Sequence, residues 1–227
     1  MNIRGLLSGQ PFMTQYGIVG YSSVVLVEDE DRRILFDCGS RGCSVQLKNA
    51  LNEAGLAPED ITDVVVSHMH FDHVGNLPLF KNARILMSET EWKNALISPD
   101  EYHCIATASY IRESGRLTFI EEGDSLTENV RVIALPGHTK GLIGLVCGGD
   151  TVLCSDAIKN RWELWEGLEP MTVDLEESLR TMDRIRSIAR YIYPGHDTRL
   201  DLQHKENTPP VDIRIRYADG LIRFVER

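Results

Sequence analysis

The stretch SHMHFDHVGN, residues 67–76, puts three histidines and an aspartate into the six positions from His68 to His73, directly after the apolar run VVV. A lone histidine is ordinarily a surface or core residue, and His103, in a helical pattern, and His204, in a polar loop, are read that way. The crowding at 68–73 is different. His68 and His70 are two apart, so in an extended segment both rings leave the same face. Asp72 and His73 follow as the chain turns into a helix, so their side chains can approach a second point. Three more such residues follow apolar runs: His138 after VIALPG, Asp156 after VLCS and His196 after YIYPG. Strand ends with tight Gly/Pro turns are where α/β folds gather functional groups.

The assembled set is five imidazoles and two carboxylates without a thiolate. Such donors suit borderline divalent ions, zinc first, with iron, manganese and cobalt also compatible. Seven protein ligands are too many for one catalytic ion, which must keep a position open. They fit two ions that share one carboxylate.

Outward from this stretch the pattern alternates between strands and helices. Residues 21–39, YSSVVLVEDEDRRILFDCG, hold two β-rich runs around a charged turn, as in a hairpin. Residues 44–56, SVQLKNALNEAGL, fit an amphipathic helix with Val45, Leu47, Leu51 and Ala54 inward and Gly55 as its stop. Strands are expected at ITDVVVS (61–67), ARILMS (83–88), VRVIAL (130–135), LIGLVC (142–147), TVLCS (151–155) and RYIYP (190–194). ETEWKNAL (89–96) and YHCIATASYIRESG (102–115) look helical. The clearest helix is at 174–191, with Leu175, Leu179, Met182, Ile185 and Ile188 as its apolar stripe and Asp174 with Glu177 as a capping box. Residues 211–226 read as a closing hairpin around Asp219-Gly220. Strands and helices in alternation, with no linker dividing them, argue for one layered α/β domain over residues 1–227.

Composition narrows the function. A chain of 227 residues, 42% apolar and 26% charged, buries one substantial core. The net charge of -10, with no basic cluster, disfavours a nucleic-acid partner. No apolar run is long enough to span a bilayer, so no membrane association is expected. The opening MNIRGLLSGQPF is too weakly apolar for a signal peptide, so a cytoplasmic protein is expected. Five scattered cysteines without a CxxC read as small buried hydrophobes in a reducing compartment.

HMHFDH followed in order by His138, Asp156 and His196, with FDCG ahead of the first helix, resembles the metallo-β-lactamase superfamily over nearly the whole chain. The resemblance implies a four-layer αββα sandwich: two mixed sheets face to face, helices outside, and a dinuclear metal centre at one edge. It implies that His68, His70 and His138 hold the first ion, that Asp72, His73 and His196 hold the second, and that Asp156 bridges them. Asp37 would orient a ligand histidine from behind. The implied chemistry is hydrolysis, in which a metal-bridging hydroxide attacks a small ester and Asp72 orients it and carries its proton. No GxSxG offers a side-chain nucleophile. His70 stands where oxygen-reducing diiron relatives carry glutamate, which disfavours redox chemistry. The complete ligand set argues against a non-catalytic binding module.

A lactone or other carboxylic ester is the first expectation, and a phosphodiester, phosphotriester or thioester the alternative. The expected partners are that small molecule and, at most, a second copy of the chain. Two aromatic segments are expected to wall the pocket: GQPFMTQYG (9–17), with Phe12, Met13 and Tyr16, and RWELWEG (161–167), with Trp162 and Trp165. Phe71 would line the floor. One position departs from the lactonase pattern. Acyl-homoserine lactonases resemble this chain but carry a tyrosine three residues after the bridging aspartate, where Lys159 stands here. An ammonium there would donate a proton or anchor an anionic group.

Overall fold

The structure is a computed structural model that describes residues 1–167, 171–217 and 220–226, with side chains described up to residue 210. The first half contains β1 (Asn2–Leu7), a small hairpin β2 (Met13–Thr14) and β3 (Gly17–Ile18), then β4 (Val24–Asp29), β5 (Arg32–Phe36), α1 (Ser44–Glu53), β6 (Asp63–Val65), the single turn α2 (Phe71–Val74), β7 (Arg84–Met87), α3 (Glu89–Ile97), α4 (Ile105–Ser114) and β8 (Leu117–Phe119). Six of these strands form one sheet in the order β1-β4-β5-β6-β7-β8, antiparallel from β1 to β5 and parallel from β5 to β8. The second half contains β9 (Val130–Ala134), β10 (Ile143–Cys147), β11 (Thr151–Ser155), α5 (Arg161–Glu166), α6 (Leu175–Ile188), β12 (Tyr191–Pro194) and β13 (Leu200–Asp201). Its sheet runs β13-β12-β11-β10-β9, with β11 and β12 parallel and the other pairs antiparallel. Strands β14 (Val211–Tyr217) and β15 (Gly220–Glu226) pair with each other, and Asp219 of the expected turn lies outside the described residues.

The layering follows from runs of apolar residues buried on both faces of a strand. In β4, Val25 and Val27 point between the two sheets, where they meet Val132, Ile143 and Leu145 of the second sheet. Val24 and Leu26 point the other way, into a layer with Leu47, Leu51 and Ile111 from α1 and α4. The second sheet repeats this: Val152 and Ile192 face outward onto Leu164 of α5 and Met182 and Ile185 of α6. Each such side chain stabilises the fold by roughly 1.5–3 kcal/mol. Three apolar layers between four layers of structure, two of helices and two of sheet, make the chain an αββα sandwich, as the resemblance implies.

Several local expectations need correction. β1 has no alternating pattern and is not legible as a strand; it exists because β4 offers it a free edge from Glu28 to Val24. Val45 is exposed, and Leu47 and Leu51 alone anchor α1. In α6 the buried face is Ser178, Thr181, Met182 and Ile185, while Leu175, Leu179 and Ile188 are exposed. The helix meets the loop at Gly137 through Ser178, and glycine is required at 137 (φ +133°) because a Cβ there would stand 2.5 Å from the Ser178 Cα. The helix at 102–115 begins only at Ile105, so His103 belongs to the preceding loop. Among the described residues no helix is long and apolar enough to cross a membrane.

Candidate metal centre

All seven sequence-predicted ligands converge where strands end: His68 beyond β6, His138 beyond β9, Asp156 beyond β11 and His196 beyond β12. Local backbone makes the convergence possible. Asp37 (φ +55°) and Ser155 (φ +47°) are non-glycine residues in the left-handed region, a cost of order 1–3 kcal/mol each that persists where the surroundings over-determine it. Gly195 has no Cβ for a different reason: one placed there would overlap Asp156 Oδ1 at 1.7 Å. Glu91 of α3, fully buried, accepts from the Met69 N–H at 2.9 Å and from Thr139 Oγ1 at 2.7 Å. One carboxylate thus ties the HMH segment to the loop that carries His138.

The ligand atoms form two groups around Asp156. His70 Nδ1 and His138 Nε2 are 3.1 Å apart, and His138 Nε2 is 3.4 Å from Asp156 Oδ2. On the other side, His73 Nε2 and His196 Nε2 each lie 3.4 Å from Asp156 Oδ1, and Asp72 Oδ2 is 3.5 Å from His196 Nε2. His68 joins His70 and His138 in one group whose ligand atoms lie within 4.8 Å of one another; Asp72, His73 and His196 form another. Asp156 therefore turns one oxygen toward each.

Every imidazole is also held from outside. His68 Nδ1 lies 2.9 Å from Ser67 Oγ, His73 Nδ1 2.8 Å from Asp37 Oδ2, and His70 Nε2 3.1 Å from Asp100 Oδ2. His138 Nδ1 is 2.8 Å from the Met171 carbonyl, and His196 Nδ1 3.1 Å from the Tyr21 carbonyl. A carbonyl or carboxylate accepts only, so those contacts require the proton on the outer nitrogen, and a neutral ring then keeps its lone pair on the inner one. His68 Nε2, His73 Nε2 and Asp156 Oδ1 are buried without a partner. The lone pairs of His70 Nδ1 and His138 Nε2, facing each other at 3.1 Å, and that of His138 facing Asp156 Oδ2 at 3.4 Å are costly when buried unless a cation lies among them. The donor set, all nitrogen and oxygen, fits divalent metal ions.

The electrostatics agree. Burial, with Lys159 and His70 nearby, pushes His138 down to about 3 despite Asp156, and burial likewise lowers His68 and His70. These three rings are neutral, the form that ligates a metal. Burial alone would lower His73 too, but Asp156, Asp72 and Asp37 outweigh it and raise the ring to about 10. His196 is raised by Asp156 and Asp72 against burial. Burial would raise Asp156, yet His196 and His73 hold it well below the usual carboxylate range. In the ion-free protein, protons supply the positive charge that the carboxylate side of the cluster requires.

A cavity of about 330 Å³ opens onto the cluster, with Met13, Ile18, Phe71, Tyr102, Met171 and Val173 as its apolar wall. Asp72, Asp100 and Lys159 reach it as well. The Lys159 ammonium is paired with Glu163 Oε1 at 3.1 Å, and Glu163 Oε2 accepts the Lys159 backbone N–H at 2.7 Å. Met13, expected in the pocket wall, and Phe71, expected at its floor, both line this cavity, whereas Phe12 does not and Tyr16 is 91% exposed at the tip of the β2–β3 hairpin.

Trp162 and Trp165 are also elsewhere, in a separate groove with Lys205 and Glu166. Asn160 caps α5 by accepting from the Trp162 and Glu163 N–H groups, and Arg161 forms a two-pronged contact with Asp197. Those anchors turn Leu164 into the core and both tryptophans away from the cluster. Trp162→Ala is accordingly expected to leave KM unchanged for bulky and small substrates alike; a KM rise confined to bulky ones would return Trp162 to the pocket.

Sequence reading missed Asp100, Tyr102, Met171 and Val173. The helix break at Ser98-Pro99 was a usable signal for the first two, since the residue before proline disfavours helical backbone. Met171 and Val173 carry no local signal.

An αββα sandwich with a buried His/Asp cluster at its strand ends defines a class of metal-dependent hydrolases. Residues 17–196 match the family model of the metallo-beta-lactamase superfamily, and the chain belongs to that family. It is similar to metallo-beta-lactamase domain-containing protein 1 of Xenopus laevis, 29% identical over 205 residues that cover 84% of this chain and 82% of the relative. An N-acyl homoserine lactonase of Bacillus thuringiensis is 27% identical over 161 residues, 67% of this chain and 62% of the lactonase. Among solved structures, a metallo-beta-lactamase-like protein of Thermotoga maritima superposes with a TM-score of 0.73 at 25% identity, covering 88% of this chain and 98% of that one.

Proposed function

We propose that the protein hydrolyses a small carboxylic ester, a lactone first, at a centre of two divalent ions. The observation that carries this reading is Asp156, whose two oxygens face two separate sets of unprotonated or cation-seeking ligands. His68, His70 and His138 would hold one ion; Asp72, His73 and His196 would hold the other, with Asp156 between them. Zinc suits these donors best, and iron, manganese and cobalt are compatible. When bound, such ions supply a water acidic enough to act as a nucleophile near neutral pH and polarise the ester carbonyl.

The chain's own groups do the rest. Asp72, at the cavity floor, orients the attacking water and accepts its proton. Asp37 and Asp100 keep His73 and His70 turned with their free nitrogens inward. Met13, Phe71, Met171 and Val173 take up the apolar part of the ester and exclude bulk water. This apolar wall favours a neutral ester over an anionic phosphodiester, and a neutral phosphotriester or thioester is the alternative.

Lys159 is placed to donate to the leaving oxygen or to anchor an anionic substituent, with Glu163 holding its ammonium at the cavity. Lys159→Met is expected to slow esters with poor leaving groups or a negative charge far more than activated neutral esters. Equal rates for wild type and variant on both kinds would leave Lys159 a structural partner of Glu163. The reading as a whole is tested by a hydrolysis panel on metal-analysed protein, spanning lactones, linear esters, thioesters, phosphodiesters and a β-lactam. Turnover of phosphodiesters alone would overturn it.

A further inference from the structure

Of the five outer partners of the ligand histidines, Ser67 and Asp37 are buried side chains and the Tyr21 and Met171 contacts are backbone carbonyls. The fifth, Asp100, stands on the cavity wall with its side chain 31% exposed. It comes from the loop between α3 and α4, a part of the chain that contributes none of the seven clustered ligands.

The loop is nevertheless fixed to the site. The Phe71 N–H donates to the Tyr102 carbonyl at 2.8 Å, and His70 and His103 pair as an isolated antiparallel bridge. Tyr102 and His103 pack edge-on against the His70 ring, with centroids 5.5 and 5.2 Å away. The carboxylate itself is held in place: Oδ1 accepts the Tyr102 N–H at 2.9 Å and lies 2.8 Å from His103 Nδ1. Its remaining oxygen, Oδ2, is the one that meets His70 Nε2 at 3.1 Å. The His70 ring is thereby committed in two directions, Nε2 to Asp100 and Nδ1 to the cluster.

Charge distribution gives this contact its meaning. In the group of His68, His70 and His138, the outer partners of the first and last are a hydroxyl and a carbonyl; only His70 is backed by a carboxylate. In the group of Asp72, His73 and His196, only His73 is so backed, by Asp37. A carboxylate behind a ligand imidazole fixes its tautomer and raises its basicity, and losing it typically costs 10–100-fold in metal affinity. Each group has one such imidazole.

We infer that Asp100 is the positioning residue for His70 and sets the affinity of the His68–His70–His138 ion position separately from the other. This rests on the two-ion reading above. His103 braces Asp100, and its buried Nε2, which has no hydrogen-bond partner, faces Glu91 Oε1 at 4.0 Å instead of the cluster.

The test is chelator competition on zinc-loaded wild type and Asp100→Asn, a near-isosteric change at a part-exposed side chain, beside the melting temperature of the ion-free proteins. In the variant, one of the two ions should be released about 10–100-fold more readily while the other is held as in wild type, with ion-free melting unchanged. As a second readout, the His70 Nε2 ring proton of the loaded protein should exchange slowly with solvent in wild type and rapidly in Asp100→Ala. Two ions held with wild-type affinity in Asp100→Asn would sink this inference and leave the two-ion reading standing. Equal weakening of both ions with a lowered ion-free melting temperature would also overturn it, since Asp100 would then act on the fold. A third ion in wild type, lost in Asp100→Asn, would make Asp100 a ligand in its own right and overturn it too. Fewer than two ions in saturated wild type would overturn the inference and the reading together.

Discussion

Asp72→Asn is expected to lower kcat by roughly 10²–10⁴-fold, the usual contribution of a positioned proton acceptor, without unfolding the protein. Asp72 sits in the single turn α2, buried against the cluster and reaching the cavity, with Oδ2 3.5 Å from His196 Nε2 and 3.9 Å from His73 Nε2. Its side chain makes no hydrogen bond that holds other parts of the fold together among the described residues, so stability should change little. The amide is nearly the same shape but neither takes a proton nor binds a cation as a carboxylate does. Steady-state kinetics on protein of matched metal content read the effect. Turnover near the wild-type value would place the hydrolytic centre away from this cluster.

Ion removal should have a comparably large effect. Fully loaded protein is expected to contain two divalent ions per chain by elemental analysis, and protein stripped by a chelator should lose all measurable hydrolysis and recover it on reloading. Stripping should also lower the melting temperature, because ligands that bind only the folded state stabilise it by about 4 kcal/mol at a thousand times Kd. The buried lone pair of His68 and the Asp156 oxygen lose the cation that offsets their desolvation. One ion at saturation, with Asp72→Ala leaving that number unchanged, would refute the two-ion arrangement.

The elements that sequence reading placed well are those whose cause is local. The β4–β5 hairpin forms around a charged turn flanked by β-branched runs, and α6 starts where Asp174 accepts the Glu177 N–H. β1 was not legible, because only the open edge of β4 makes a strand of NIRGLL. The stripe of α6 was displaced because a helical pattern shows which residues are apolar but not which the neighbouring loop will cover; Gly137 pressing on Ser178 decides that. Aromatic residues misled for a related reason. Trp162 and Trp165 share a turn-rich stretch with Lys159, yet α5 is anchored by Arg161 to Asp197, and its orientation sends them to another face.

That His68, His70, Asp72, His73, His138, Asp156 and His196 would gather in one place, by contrast, was legible in the sequence, since imidazole and carboxylate chemistry belongs to the side chain and the spacing HxHxDH already divides it between two faces. The alternation of strands and helices likewise argued for a layered α/β domain, and the resemblance carried by the ligand motif implied the sandwich. Which ring nitrogen faces inward was decided only in three dimensions. His196 takes its outer partner from Tyr21, 175 residues away, and His138 from Met171, 33 away. The cavity wall is assembled in the same manner, from Met13, Phe71, Tyr102 and Val173 on four separate segments, and Asp100 meets His70 only because its loop pairs with the ligand strand. Such contacts depend on how packed layers align their edges, a property of the whole core that no local propensity or period encodes.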